Sequence, residues 1–378
     1  MKCYLVGGAV RDDLLGLPVG ERDWVVVGST PQAMLQQGFR PVGKDFPVFL
    51  HPQTNEEYAL ARTERKTGRG YHGFTFYTDP TTTLEEDLQR RDLTINAMAR
   101  DSDGQLIDPY GGQADLAARR LRHVSEAFRE DPLRVLRVAR FAARLAPLGF
   151  TVAPETLDLM RHIVHGGELA DLAAERVWRE LWKALSESSP ATFFEVIHAC
   201  GGLAYLLPEL DWPWTGDTPP LSISILKAAA ALSNDPSIRF AALIQAIAVN
   251  EQSLSTIVSR LKAPNEPATL ARLAHRHRAL AHQASHFSAP DLLNLLEILD
   301  ALRKPERLPA LLTIWQADAA ARTHSKEFPQ HNQLTTALRA ALAVNARDID
   351  VLDLSGPAIG EAVRQARILA IEQSLRNT

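Results

Sequence analysis

The sequence is short of cysteine, with only Cys3 and Cys200 in 378 residues. So distant a pair suits neither a disulfide framework nor a metal clip, and a reducing, cytoplasmic compartment is the expectation. Long apolar runs are missing too. No stretch approaches the roughly 20 residues that a membrane-spanning helix needs. The run Tyr4–Val10 is too short and too glycine-rich for a signal peptide. Nor is there an excess of basic charge. The formal net charge of −4 advertises no polyanionic partner, yet excludes none, because local arginine clusters set the field that a polyanion meets. Repeats of solenoid period and low-complexity tracts are absent as well. What is present is ordinary apolar content, 46%, in a chain long enough for two to four compact units.

The first 120 residues mix short β-rich runs with short helical stretches. Lys2–Val6 and Trp24–Gly28 read as buried strands bounded by turn residues. Thr30 followed by Pro31 reads as a helix N-cap with proline at the first helical position. Phe46–Leu50 and Glu57–Thr63 are two further expected strands, and the basic, glycine- and threonine-rich stretch Glu64–Pro80 is expected to be a mobile loop. A helix over about Leu84–Ala99, a short strand near Leu106 and a turn at Asp108–Gly112 complete this part. Beyond Leu121, Asp131–Leu145, Pro154–Ile163, Ala174–Leu185 and Ala191–Ala199 carry helical periodicity with no convincing strand. Pro208–Pro220 interrupts the helical region as a boundary or long loop. The expected fold class is therefore α+β, a mixed head on an all-helical remainder.

Two motifs carry chemistry in the head. Gly7-Gly8 follows a strand and opens a helix, so Gly8 allows close backbone approach to a phosphate and Arg11 can clamp an oxygen. Taken alone this is also what a glycine turn with a surface arginine looks like. Glu21 and Asp23 lie two apart in extended chain, which points both carboxylates to one face. Such a like-charged pair repels unless a cation neutralises it, and hard oxygen ligands suit Mg²⁺, which normally shares its coordination with substrate phosphates and water. A solvated turn is the alternative. Glu57 is a further acidic candidate if its strand pairs nearby.

A glycine pair followed by a carboxylate pair on the next strand resembles the polymerase-β-like nucleotidyltransferase superfamily. The resemblance narrows with Tyr4–Asp12 (YLVGGAVRD), Asp23–Gly28 (DWVVVG), Arg91–Ala97 (RDLTINA), Glu130–Arg137 (EDPLRVLR) and Glu175–Glu180 (ERVWRE). In this order and spacing they are similar to the bacterial CCA-adding enzymes of the second class, with the match nearly unbroken to about Leu185 and thinner afterward. The resemblance implies a catalytic head over 1–121, a helical neck for base recognition over 122–188, and a helical body and tail over 189–378 that grips tRNA. It implies transfer of C, C and A from CTP and ATP to the tRNA 3′ end, with Mg²⁺ on Glu21 and Asp23. One departure stands out: the family has aspartate where this chain has Glu21, whose extra methylene can displace the metal.

Further roles follow from the same resemblance. Arg91 matches a triphosphate-contacting arginine, and Asp92 and Asn96, four apart in the expected helix, a ribose contact and a site-ordering element. Asp131, Arg134, Arg137 and Arg140 step by three and cover one broad helix face, otherwise an ordinary surface ion-pair array. Cytosine and adenine each present an amino donor beside a ring-nitrogen acceptor. One carboxylate and one guanidinium would take both and leave buried groups unpaired against guanine or uracil. Asp131 and Arg134 match the residues assigned that role, and Arg137 and Arg140 match phosphate and nucleotide contacts. The basic stretch with Arg62, Arg65, Lys66, Arg69, Tyr71 and Phe74 resembles the family's flexible loop.

Longer relatives carry a metal-dependent phosphohydrolase domain marked by a His-Asp pair. Here Gln245 and Ala246 stand at that place, and neither ligates a transition metal as His and Asp do. His275, His277, His282 and His286, interleaved with Arg276 and Arg278, read as a basic helix face near RNA phosphates. Two rival readings remain open, a poly(A) polymerase or partial C-only or A-only enzyme, and a non-catalytic RNA-binding relative disabled by Glu21.

Overall fold

The computed structural model describes the whole chain except residues 43–47, 67–73, 78, 217, 326, 346–355 and 377–378. It divides into two compact units, Met1–Pro208 and Glu209–Thr378.

The first unit is built on a mixed sheet. Its strands are β1 (Lys2–Val6), β2 (Asp23–Val27), β3 (Arg40–Val42), β4 (Val48–Leu50), β5 (Glu57–Leu60), β8 (Ala99–Arg100) and β9 (Leu106–Ile107), in the order β3-β4-β5-β2-β1-β8-β9. β1 and β2 are antiparallel, with Val6 opposite Asp23. β2 and β5 run parallel, which places Asp23 beside Glu57. Alternation along β2 sends Val25 into one core, with Val6, Leu88 and Ala97, and Val26 into the other, with Met34, Phe39, Phe49 and Leu60. Helix α1 (Gly8–Leu14) follows β1, and α2 (Pro31–Gln36) starts where Thr30 Oγ1 accepts from the Ala33 N–H. A Thr83–Glu86 capping box opens α3 (Leu84–Gln89).

Four local expectations need correction. The stretch 84–99 is not one helix. α3 ends at Gln89, and a short 3₁₀ turn, Thr94–Asn96, follows. Asp92 is the physical reason, because its carboxylate takes the Leu93 N–H at 2.9 Å, a local bond that competes with the helical ladder. Part of the expected loop forms a hairpin of β6 (Thr63–Lys66) and β7 (Phe74–Tyr77), so the Glu57–Thr63 strand stops at Leu60. Phe46, Arg69 and Tyr71 lie outside the described residues. The third correction concerns Asp131, which is extended and precedes helix α5 (Leu133–Leu145) instead of lying on it. Pro132 disfavours the helical conformation in the residue before it. Finally, a strand does occur beyond Leu121, where β11 (Thr151–Val152) pairs with β10 (Arg120–Leu121).

Helix α4 (Gly112–Ala117) begins at the predicted turn, where Asp108 accepts from the Gly112 and Gln113 N–H groups. The unit closes with α6 (Pro154–His165), α7 (Ala174–Ser186) and α8 (Pro190–Ala199), and α5 packs against α7 and α8. Two single turns follow, α9 (Leu203–Leu206) and α10 (Pro208–Asp211), the second inside Pro208–Pro220, the stretch expected to be a boundary or long loop.

Among the described residues, the elements after α10 are helices: α11 (Leu221–Leu232), α12 (Pro236–Ile247), α13 (Glu251–Arg260), α14 (Asn265–Gln283), α15 (Ala289–Ile298), α16 (Arg307–Thr323), α17 (Gln330–Ala343) and α18 (Gly356–Arg376). Buried Trp315 and Phe240 anchor the core, and Trp315 Nε1 donates to the Ala274 carbonyl at 3.0 Å. The histidines of α14 and the turn after it do not form a plain basic surface. His277 is buried, and His282 Nε2 lies 3.1 Å from the buried Asp318 carboxylate, a partner that the sequence pattern did not reveal. Gln245 is fully buried and donates to the same carboxylate at 3.4 Å. Among the described residues no group of three or more His, Cys, Asp or Glu side chains is placed to hold a metal. None of the described helices is long and apolar enough to cross a membrane.

Candidate active site

One cleft of about 880 Å³ in the first unit gathers all ten candidate residues: Gly8, Arg11, Glu21, Asp23, Arg91, Asp92, Asp131, Arg134, Arg137 and Arg140. Nine arginines and six carboxylates line it. The local excess of three positive charges stands against the chain's net −4.

At one end Asp23 opens β2 beside Glu57, with Glu21 just before the strand. The Asp23 carboxyl is pushed above its ordinary value, first by burial and then by the Glu21 charge, while Arg91 works in the opposite direction. A carboxylate pair strained in this way gains from a hard divalent cation, so the donor set fits Mg²⁺.

Gly7 makes the turn that brings α1 to this edge. Its φ of +72° is a backbone conformation that L side chains rarely adopt, and an added Cβ would meet Arg91 Nη1 at 3.0 Å. Arg91 is held by the buried Asp87, Nη2 to Oδ2 at 3.2 Å. Arg11 is 2% exposed, donating from Nε to Asp12 at 2.9 Å and from Nη1 to Asn96 Oδ1 at 2.5 Å. Asp12 also accepts from Arg144 at 2.8 Å, which ties α1 to α5 across 132 residues of sequence.

The helical wall comes from α5. Arg137 donates from Nε and Nη2 to Asp92 Oδ2, both at 2.8 Å. Asp92 accepts in addition from Asn96 Nδ2 at 3.0 Å. Burial alone would raise the Asp92 carboxyl, but Arg137 and Asn96 hold it far below the usual range. Asp92 and Asn96 therefore meet although no helix joins them. Arg140 reaches Glu180 at 2.8 Å and Glu187 at 3.5 Å. Asp131 accepts from Arg176 Nη2 at 2.9 Å and from the Leu133 N–H at 3.1 Å, and Arg134 Nη1 donates to the Ala127 carbonyl at 2.7 Å.

Sequence reasoning missed Asp12, Phe141, Arg144 and Arg176 as members of the cleft. Arg144 continues the arginine steps of α5 and Arg176 lies inside ERVWRE, so both carried a signal. Asp12 lies inside YLVGGAVRD, where nothing in the pattern gave it a role of its own.

A cleft with paired carboxylates facing an arginine wall, on a mixed sheet followed by helices, defines the nucleotidyltransferase class. Residues 3–122 match the family described as "Poly A polymerase head domain", and 149–212 match "Probable RNA and SrmB- binding site of polymerase A". Over its whole length the chain is 49% identical to the multifunctional CCA protein of Methylococcus capsulatus, covering 99% of this chain and 95% of that one. It is 50% identical to the CCA-adding enzyme of Pseudomonas entomophila, with coverages of 98% and 99%. Among solved structures, the Bacillus stearothermophilus CCA-adding enzyme in complex with CTP is similar at a TM-score of 0.68 and 26% identity, covering 98% of this chain and 89% of that one. The chain belongs to the CCA-adding enzyme family of tRNA nucleotidyltransferases.

Proposed function

We propose that this protein adds C, C and A in sequence to the 3′ end of tRNA from CTP and ATP, in the cytoplasm, without a nucleic-acid template and with release of pyrophosphate. The observation that carries the reading is the single cleft in which Glu21 and Asp23 face the arginines of α1 and α5, in a chain about half identical to CCA-adding enzymes. Glu21 and Asp23 would hold Mg²⁺, which when bound supplies charge neutralisation at the reacting phosphate.

The chain's own residues do the rest. Arg11, Arg91, Arg137 and Arg140 receive the triphosphate and ribose side of the nucleotide. Asp131 accepts from the exocyclic amino group of C or A, and Arg134 donates to the neighbouring ring nitrogen. Arg176 donates to Asp131 and holds its carboxylate in place. Guanine and uracil would set donor against donor and acceptor against acceptor, a mismatch costly in a buried site. Asp92 serves as the ordering element behind Arg137. Residues 1–121 act as the catalytic head, 122–188 as the base-reading neck and 189–378 as the tRNA-binding body and tail. The tail reads tRNA by shape and phosphates, so its affinity falls as salt rises. Gln245 and Ala246 leave the tail without a phosphohydrolase centre.

The test is extension of a tRNA lacking its last three nucleotides, resolved on a sequencing gel with Mg²⁺ and CTP, ATP or both. Two additions with CTP, and a third only when ATP is also present, are expected. An A-ladder would mean a poly(A) polymerase, and tRNA binding without any extension would leave a non-catalytic relative.

A further inference from the structure

Three guanidiniums approach the Phe141 ring in the cleft. Arg140, Arg11 and Arg137 place Cζ 4.5, 5.2 and 5.8 Å from its ring centroid. The ring is 6% exposed and lines the cleft. Each arginine also has its own anchor: Asp12 and Asn96 for Arg11, Asp92 for Arg137, and Glu180 with Glu187 for Arg140. Those anchors sit on different elements, and the ring is the contact the three cations share. Like charges at this spacing repel. An aromatic ring attracts each of them and offers no hydrogen bond that would compete with an incoming phosphate.

We propose that Phe141 is a positioning residue for the incoming nucleotide, its ring holding the Arg11, Arg137 and Arg140 guanidiniums in one array before the nucleotide arrives. The inference rests on the reading that this cleft takes CTP and ATP. Arginines ordered in advance lose less freedom on binding, so the ring acts on affinity for both nucleotides alike. It faces arginines, while selection between bases belongs to Asp131 and Arg134.

The experiment measures equilibrium binding of CTP, ATP, UTP and GTP to the full chain, for wild type, Phe141→Leu, Phe141→Tyr, and a chain carrying di- or trifluorinated phenylalanine at 141. Fluorine empties the ring face of negative charge at nearly constant shape. Leucine should weaken CTP and ATP about 5- to 20-fold, from lost cation–ring attraction and lost ordering. Tyrosine should restore binding to within about threefold of wild type, since it keeps the ring. Weakening should grow with each fluorine, and UTP and GTP should stay excluded. Wild-type affinity in the trifluorinated chain would overturn the proposal, as would equal losses for leucine and tyrosine. Entry of UTP and GTP in the leucine variant would also overturn it, by showing a general loosening of α5. Should the leucine chain fail to fold, the fluorinated series decides. A wild type that binds neither CTP nor ATP would instead strike down the nucleotide reading itself.

Discussion

Replacing Asp92 by asparagine isolates the ion pair that joins the first β-rich part of the unit to α5. Asparagine keeps a carbonyl oxygen for the Leu93 N–H, so the local turn survives. It removes the charge opposite Arg137 and can turn an amide N–H₂ toward the guanidinium's own donors. The Asp92 side chain is 6% exposed and that of Arg137 36%. Breaking a fully buried pair costs about 3–5 kcal/mol, and water access to Arg137 reduces this to about 2–3 kcal/mol. For a unit of this size that lowers the melting temperature by about 5–10 °C, at about 2–4 °C per kcal/mol. The sign of the pH dependence is fixed by the direction of the shift. The folded Asp92 carboxyl lies below its unfolded value, so its stabilisation is complete above about pH 5 and declines only as pH falls below the unfolded value near 3.9. Calorimetry should therefore give the same wild-type-to-variant gap at pH 6 and pH 8. A shift under 1 °C, or a gap that vanishes between those pH values, would refute the assignment of Asp92 as the anchor of Arg137.

Other outcomes follow from the same geometry. Glu21→Asp should speed nucleotide addition by up to about 100-fold, if the extra methylene displaces the ion by about 1 Å. Single-turnover extension measures it, and a slower variant would show a site built around glutamate. In the second unit the Asp318 carboxyl is lowered to about 2 against the pull of burial, by His282 and Arg322. Because the folded value is depressed, about 2 kcal/mol of stability is present above pH 4 and is lost as pH falls toward 2. Urea unfolding of wild type and Asp318→Asn should converge over that window. Gly112→Ala should destabilise the first unit by about 1–3 kcal/mol, because its Cβ would lie 2.5 Å from the Thr94 carbonyl oxygen and 2.7 Å from Met98 Cγ. An unchanged melting temperature would contradict that close approach.

The elements legible in the sequence are those in which local chemistry and tertiary need agree. β1 and β2 are β-branched or aromatic runs bounded by turn residues, and Lys2–Val6 forms the strand expected of it. Thr30 and Pro31 start a helix for reasons contained in three residues. The arginine steps of α5 survive because three- and four-residue spacings already fix a face. Legibility fails where a side chain competes with the backbone. Asp92 turns an expected helix into a turn, and Pro132 removes Asp131 from the helix whose face it was expected to share. It fails again for contacts distant in sequence, since no period relates Asp12 to Arg144 or His282 to Asp318.

The charge balance explains why composition concealed the site. Behind most cleft arginines stands a carboxylate: Asp12 behind Arg11 and Arg144, Asp87 behind Arg91, Asp92 behind Arg137, Glu180 behind Arg140, Asp131 behind Arg176. Each pair fixes a guanidinium that would otherwise wander, and neutralises it in any sum taken over the chain. Polarity still survives locally, because Asp87 and Glu180 lie outside the lining, where nine arginines meet six carboxylates. A triphosphate approaching this wall would meet donors already oriented, and much of the cost of assembling them was met when the unit folded. Net charge therefore says little about whether such a chain handles a polyanion. The informative quantity is how the arginines are held, and that depends on acids lying from one to more than a hundred residues away.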